Sequence, residues 1–160
     1  MRIHIGGDHA AYELHTALAG HLRGAGHDVA DHGPYSFDPL DDYPVFVLRA
    51  AQAVAAEPGS LGVVLGGSGN GEQIAANKVR GVRAALAWTP ELARLGREHN
   101  DARVVSIGAL FTSVAEAVAI VDAFLATPFT DDGRHLRRIA MIESYEGSGT
   151  LPALPTPDVG

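Results

Sequence analysis

Short apolar runs alternate along the chain with longer stretches in which apolar residues recur every three or four positions. The short runs are typical of buried strands, and the periodic stretches are typical of helices that pack on one face. We therefore predict strands at residues 3–6, 28–31, 61–65, 83–87 and 104–107. Helices are predicted at residues 10–23, 43–56, 72–78, 90–100, 114–124 and 133–145.

Two of the predicted helices begin with clear capping signals. Thr89 offers a hydroxyl cap and is followed by Pro90, which is favoured at the first helical position. Ser113 and Glu116 have the spacing of a capping box. Because helices alternate with the five strands, the predicted fold class is α/β. We expect a single-domain, doubly wound (Rossmann-like), five-stranded parallel sheet with helices on both faces.

The predicted domain covers residues 1–146, and residues 147–160 form a proline-rich tail. That tail either runs extended over the surface or packs against a second subunit. The segment at 32–42 contains two prolines and three aspartates, which is too polar for a regular element. We expect this loop to lie where it could cover a site.

Composition narrows the class of protein. The 160 residues, 46% of them apolar, are enough to bury a core in one domain. A net charge of −7 argues against nucleic acid or an anionic membrane as the main partner. No apolar stretch has the length of a membrane span, and the first residues resemble a strand and not a signal peptide, so a cytoplasmic location is expected. Because the chain has no Cys, it has no disulfide, zinc thiolate or catalytic thiol.

A glycine-rich segment directly follows the strand predicted at 61–65. It reads Gly-Gly-Ser-Gly-Asn-Gly-Glu from Gly66 to Glu72. Glu72 replaces the third glycine of a dinucleotide fingerprint, and the lysine of a P-loop is missing. Asn70 stands where a hydrolase nucleophile elbow needs glycine. A serine nucleophile at Ser68, or a turn that binds no ligand, stays open as an alternative.

The same segment can place a base beside an oxyanion hole. Ligands bind outside the carboxyl ends of the strands in open α/β sheets, and backbone N–H groups from Gly67 to Gly71 would form a concave donor surface there. A carboxylate at Glu72 could then remove a proton α to a carbonyl while the N–H groups hold the enediolate. Burial would raise the pKa of Glu72 and the helix dipole would lower it, so both directions stay open.

Other polar residues also fall near predicted element ends. Asp8 and His9 follow the first strand, and Tyr43 begins the second helix. A metal site made of His9, Glu98 and His99 is conceivable, but these residues lack the i, i+4 spacing of two ligands on one helix face. We therefore predict no metal and no cofactor.

Several motifs together resemble one family. The chain contains Asp8-His9-Ala10, the segment from Gly66 to Glu72, Asn77-Lys78, Arg83-Ala84-Ala85 and Arg97-Glu98-His99-Asn100. In this order and spacing they are similar to the type B ribose-5-phosphate isomerases, a sugar-phosphate isomerase family that also includes galactose-6-phosphate and allose-6-phosphate isomerases. The resemblance extends from residue 1 to about residue 146, and the glutamate at position 72 resembles the actinobacterial branch.

The resemblance implies an aldose–ketose isomerase that interconverts ribose 5-phosphate and ribulose 5-phosphate through an enediolate. It implies that Glu72 is the base, that Ser68 belongs to the anion hole, and that His99 assists ring opening, with Asp8 as the alternative for that step. It also implies a homodimer or a dimer of dimers with active sites shared between subunits. The implied substrate-binding residues are Asp8, His9, Tyr43, Gly67, Ser68, Gly69, Asn70, Gly71, Asn100, Arg134 and Arg138.

One position departs from the family pattern. The family usually carries a third phosphate-binding arginine shortly after the fifth strand, where this chain has Leu110. Loss of one guanidinium should weaken phosphate binding by about 1.5–3 kcal/mol unless His9, His135 or Arg137 replaces it. The alternatives are a variant that isomerises another sugar, such as an unphosphorylated pentose or tetrose or a hexose 6-phosphate, and a non-catalytic sugar-phosphate binding module.

Overall fold

The computed structural model describes residues 1–155. Its five strands are β1 (Arg2–Gly7), β2 (Asp28–Asp31), β3 (Leu61–Gly66), β4 (Ala84–Leu86) and β5 (Val104–Gly108). A short 3₁₀ turn, His9–Ala11, precedes the first helix. The helices are α1 (Tyr12–Gly24), α2 (Tyr43–Ala56), α3 (Asn70–Ala76), α4 (Pro90–Asn100), α5 (Val114–Ala126) and α6 (Gly133–Ser148).

The strands form one parallel sheet in the order β2-β1-β3-β5-β4. From β1 the chain moves outward to β2, and it then crosses to β3 on the other side of β1. This reversal places a topological switch point between β1 and β3, where open α/β sheets bind ligands. The predicted fold class, a doubly wound five-stranded parallel sheet, is therefore confirmed.

Apolar helix faces cover the sheet on both sides. One cluster joins α1, α4 and α5 to the strands, and Leu18, Ile107 and Phe124 are fully buried in it. A second cluster on the opposite face joins α2 and α3 to the sheet through residues such as Val54 and Val64. Burial on both faces explains why β3 reads as an unbroken apolar run.

The predicted caps at the starts of α4 and α5 are present. Thr89 Oγ1 accepts the Leu92 N–H at 3.2 Å, and Ser113 and Glu116 form a reciprocal capping box. α3 begins two residues earlier than predicted. Gly69 adopts a left-handed conformation with φ of 78°, which turns the chain into the helix directly after β3.

Contacts divide the chain into two compact units. The first, Met1–Thr130, contains the sheet and α1 to α5, and the second begins at Asp131 and contains α6. Within the second unit, Asp132 caps α6 by accepting the Arg134 N–H at 2.8 Å. Of the predicted tail at 147–160, residues 156–160 lie outside the described part of the chain. No helix among residues 1–155 is long and apolar enough to cross a membrane.

Candidate active site

Glu72 lies at the carboxyl end of β3, in the first turn of α3, and only 4% of it is exposed. Its carboxylate rests on the backbone of Gly66, the last residue of β3. A β-carbon at position 66 would lie 1.9 Å from Glu72 Oε1, so any side chain there would displace the carboxylate. The absence of a side chain at Gly66 is thus required for the observed placement of the Glu72 carboxylate, which adds Gly66 to the predicted glycines from Gly67 onward.

Strand β5 shapes the glycine-rich loop from the other side. Ser106 is fully buried, and its hydroxyl donates to the Gly69 carbonyl at 2.7 Å. A β-carbon at Gly108 would lie 2.5 Å from the Ser68 carbonyl oxygen. Neither Ser106 nor Gly108 is among the predicted site residues, and the signal that the sequence offers for them is a polar serine inside the apolar run of β5.

The pKa of Glu72 is raised above its ordinary value. Burial is the largest cause, and the nearby carboxylate of Asp8 acts in the same direction. Hydrogen bonds from the backbone N–H groups of Glu72 and Gly69 oppose the change. The question that the sequence left open is therefore answered, because desolvation of the carboxylate outweighs the stabilisation by N–H groups at the start of α3.

Part of the predicted donor surface is already engaged. The Gly69 N–H serves the Glu72 carboxylate, and the Asn70 N–H lies 3.3 Å from Ser68 Oγ. The N–H groups of Gly67, Ser68 and Gly71 remain the candidates for holding an enediolate oxygen. Ser68 is exposed, and the hydroxyl contacts that the structure gives it are with Asn70, which is not a base. This geometry offers no support for a serine nucleophile.

Asp8 and His9 follow β1 and lie on the same edge of the sheet as Glu72. Asp8 is buried, caps the 3₁₀ turn by accepting the Ala10 N–H at 3.1 Å, and has a raised pKa because of burial. His9 Nδ1 lies 2.7 Å from Oδ1 of Asp41, and this hydrogen bond raises the pKa of His9. Asp41 comes from the loop at 32–42, so that loop does contact predicted site residues.

Tyr43 and the same loop enclose this edge further. A β-carbon at Gly71 would lie 2.9 Å from the Tyr43 hydroxyl oxygen, so the ring lies against the glycine-rich loop. Beside His9, between the β1–α1 and β5–α5 loops, is a cavity of about 620 Å³ whose lining includes Tyr12 and Phe37. The carboxyl edge therefore brings together Asp8, His9, Tyr43, the glycine-rich loop and Glu72.

His99 and Asn100 lie at the opposite edge of the sheet. They end α4, which must run from the carboxyl end of β4 back to the amino end of β5 because these two strands are parallel. The Asn100 carbonyl accepts from Arg83 Nε at 2.7 Å, and Arg83 directly precedes β4. Within one chain, His99 and Asn100 therefore do not join the group around Glu72.

The metal site that was conceivable from the sequence, made of His9, Glu98 and His99, cannot form within one chain, because Glu98 and His99 lie on the edge of the sheet opposite His9. Within the described residues, a group of possible ligands is instead formed by Asp8, His9 and Asp41, whose ligand atoms lie within 4.8 Å of one another. The direct hydrogen bond between His9 and Asp41 competes with any cation there.

Of the positions considered for phosphate binding, Arg134 and Arg138 belong to the second compact unit, and position 110 lacks charge. Arg134 and Arg138 are exposed on α6, and their i, i+4 spacing places them on one face of that helix. Leu110 follows β5, is 73% exposed, and approaches the glycine-rich loop, with Cδ1 3.4 Å from where a β-carbon of Gly67 would be. An apolar side chain therefore stands at this corner of the site.

A buried carboxylate beside a glycine-rich loop, at the carboxyl edge of a doubly wound sheet, fits a sugar isomerase. The model of the ribose/galactose isomerase family matches residues 3–142, and the chain belongs to this family. The match includes residues of both compact units.

Relatives and solved structures agree with this assignment. The chain is 52% identical to ribose-5-phosphate isomerase B of Mycobacterium leprae over 155 residues, which are 97% of this chain and 96% of the relative. It is similar to the structure of the Clostridium thermocellum enzyme, with a TM-score of 0.89, 39% identity and coverage of 94% and 100% of the two chains. It is also similar to the structure of ribose-5-phosphate isomerase B from Mycoplasma genitalium with bound ribulose 5-phosphate. That comparison has a TM-score of 0.87 and 38% identity, and it covers 92% of this chain and 97% of the other.

Proposed function

We propose that this protein is an aldose–ketose isomerase that interconverts ribose 5-phosphate and ribulose 5-phosphate. The observation that carries the proposal is the Glu72 carboxylate, which is buried against Gly66 and has a raised pKa beside the glycine-rich loop. Binding alone needs no base at such a place. The identity of the proposed substrate is inferred from the relatives, which are named ribose-5-phosphate isomerase B.

In the proposed reaction, Glu72 removes the proton from C2 of the open-chain aldose. The electron pair of the broken C–H bond forms the C1–C2 double bond, and the carbonyl oxygen at C1 becomes the enediolate oxygen, held by N–H groups of the loop. Glu72 returns its proton to C1 as the C1–C2 double bond breaks, and the proton of the C2 hydroxyl passes to the enediolate oxygen, so that C2 becomes the ketone and the oxygen at C1 becomes a hydroxyl. A raised pKa suits a group that must both take and return a proton.

The remaining predicted residues bind and open the sugar. Asp8 and His9 contact the substrate from the carboxyl edge, and Arg134 and Arg138 bind the phosphate as a charged pair. His99 assists ring opening, with Asp8 as the alternative. No metal or cofactor is needed for this proton transfer, and the cytoplasm remains the predicted location.

We further propose that the active form is a homodimer or a dimer of dimers in which each site uses two chains. The support is the placement of His99 and Asn100 at the edge opposite Glu72, since one chain cannot bring these residues together. A second copy could place its own His99 beside Glu72. Residues 1–146 of each copy would form the isomerase domain, with 147–160 as a separate tail.

The testing experiment measures isomerisation of ribose 5-phosphate, unphosphorylated ribose, and a panel of tetroses, pentoses and hexose 6-phosphates, all in the presence of a chelator. Preferred turnover of ribose 5-phosphate supports the proposal. Activity that is unchanged by the chelator supports a metal-free reaction. Absence of turnover with every sugar, together with tight binding of ribose 5-phosphate, would favour the non-catalytic module.

A second candidate is isomerisation of a different sugar. The observation that favours it is Leu110, which presents an exposed apolar side chain to the glycine-rich loop where a phosphate-binding arginine is expected. Higher kcat/KM with another sugar than with ribose 5-phosphate would establish this candidate.

A further inference from the structure

Asp41 holds His9 by two hydrogen bonds to the same oxygen. Asp41 Oδ1 accepts the backbone N–H of His9 at 2.9 Å and the ring Nδ1 at 2.7 Å. A ring nitrogen that faces a carboxylate carries the proton, and 2.7 Å is typical of a charge-assisted hydrogen bond. The other ring nitrogen, Nε2, is therefore left for a partner on the far side of the ring.

The loop that supplies Asp41 holds the imidazole from a second direction. The Phe37 ring lies edge-on to His9, with centroids 6.4 Å apart, and it also contacts Tyr12 at 6.0 Å. His9 and Phe37 both line the cavity of about 620 Å³. The ring of His9 is thus held at the cavity wall by one charged and one aromatic contact.

The arrangement is costly as a purely structural contact. The Asp41 side chain is 10% exposed, and its Oδ2 atom is buried without a hydrogen-bond partner among the described residues. Burial of a carboxylate oxygen without a partner destabilises the folded state. Packing alone therefore does not account for an aspartate at this position.

We infer that Asp41 is a positioning residue, which fixes the orientation of the His9 ring through Nδ1–H so that, in the protonated ring, Nε2–H faces and donates to the sugar phosphate. The inference rests on the proposed function, in which His9 contacts the substrate. Asp41 itself acts through His9 and does not touch the substrate. In this role it resembles the carboxylates that orient histidines in other catalytic sites.

Two carboxylates act on His9, and a third lines the same cavity. Asp8 precedes His9 in the chain, Glu13 on α1 lines the same cavity, and Asp41 comes from the loop at 32–42. The β5–α5 loop contributes only uncharged residues to the cavity lining. The hydrogen bond to Asp41 is the largest cause of the raised pKa of His9, so removal of this one charge should lower that pKa.

The first test compares pH profiles of kcat/KM for ribose 5-phosphate. If protonated His9 is needed, activity falls as pH rises through its pKa. Asp41→Asn keeps an acceptor oxygen but removes the charge, so we expect this alkaline limb to move to lower pH by about 1 pH unit. The substrate phosphate also titrates near neutral pH, but it affects both proteins equally.

Asp38→Asn is the matched control because it removes the same charge from the same loop. Asp38 accepts the Leu40 N–H at 3.0 Å, which an asparagine oxygen can also accept. Its profile should match that of the wild type. An unchanged limb in Asp41→Asn, or an equal change in Asp38→Asn, would overturn the inference.

A second test does not depend on activity. In NMR spectra, His9 is assigned by the loss of its signal in His9→Gln. At high pH the neutral His9 ring of the wild type should be the Nδ1–H tautomer, and a pH titration should show a lower pKa of His9 in Asp41→Asn. Observation of the Nε2–H tautomer in the wild type would overturn the inference, even if Asp41→Asn fails to fold. Inactive wild-type protein would instead refute the proposed function.

A double-mutant cycle separates action through His9 from a general effect on the loop. Asp41→Asn should cost little further kcat/KM in the His9→Gln background, because the residue through which it acts is gone. Full additivity of the two losses would contradict the inference.

Discussion

At the carboxyl edge of the sheet, buried carboxylates lie among glycine backbone, whereas at the amino edge the charged side chains hold the chain together. Burial raises the pKa of both Glu72 and Asp8, and at Asp8 the charge of the neighbouring His9 offsets only part of this change. Arg97 instead donates to Asp101 and to the carbonyls of Ala102 and Thr127. The comparison separates an edge with desolvated carboxylates from an edge whose charges are paired.

The same comparison shows that the implied site residues divide between the edges. Glu72 lies at the carboxyl edge, and His99 and Asn100 lie at the amino edge of the same chain. A site that uses both must combine two chains, and this makes the difference between the edges testable.

Replacement of the base should have the largest effect. Glu72→Gln keeps the size of the side chain but cannot accept the C2 proton, so kcat with ribose 5-phosphate should fall by about 10³-fold or more. Binding of ribulose 5-phosphate, measured by calorimetry, should be retained. A variant that still turns over at close to the wild-type rate would remove Glu72 from the mechanism.

Complementation tests whether the two edges cooperate across chains. His99→Asn should lose about 10²-fold in kcat, and a mixture of Glu72→Gln and His99→Asn chains that is dissociated and reassembled should regain activity. A mixed dimer would contain one site with both residues intact. Mixtures that exchange subunits, as mass spectrometry can verify, yet stay inactive would contradict shared sites.

Restoring a charge at the carboxyl edge should have a smaller effect. Leu110→Arg should lower the KM for ribose 5-phosphate by about tenfold, the scale of one charge-assisted hydrogen bond, and leave unphosphorylated ribose unaffected. Leu110→Met is the matched control, since it adds length without charge. Equal changes in KM for both sugars would show that residue 110 does not contact the phosphate.

The smallest expected effect is on stability. Because folding raises the pKa of Glu72, the stabilising neutral carboxyl is present at low pH and is lost as pH rises through that pKa. Glu72→Gln is always neutral and should therefore melt at a higher temperature than the wild type at about pH 8, with the difference shrinking toward about pH 4. A difference in melting temperature that stays constant between these pH values would mean that the charge of Glu72 does not destabilise the folded state.

Much of the architecture was predictable because local patterns agree with the global fold. The predicted α2 and β2 match the structure at both ends, and the caps at Thr89 and Ser113 place α4 and α5 correctly. The start of α3 was less predictable, because it depends on the left-handed conformation of Gly69. Residue propensities do not specify the backbone conformation of one glycine, so they cannot specify the residue at which α3 begins.

The candidate site was predictable only where its residues are adjacent in sequence. Asp8 with His9, and the glycine-rich loop with Glu72, are continuous motifs. Ser106 and Asp41 were not predicted because each contacts a partner that is distant in sequence, with Ser106 37 positions from Gly69 and Asp41 32 positions from His9. Hydrophobic periodicity carries no information about such contacts.

The sequence by itself determined the alternation of strands and helices, the polar break after β3 and the presence of a carboxylate at the start of α3. These features follow from short-range periodicity and backbone freedom. Only the tertiary structure decided that burial raises the pKa of Glu72, that Asp41 holds His9, and that His99 lies at the far edge. Desolvation and charge proximity depend on which distant segments surround a group, and strand order and parallel pairing decide that.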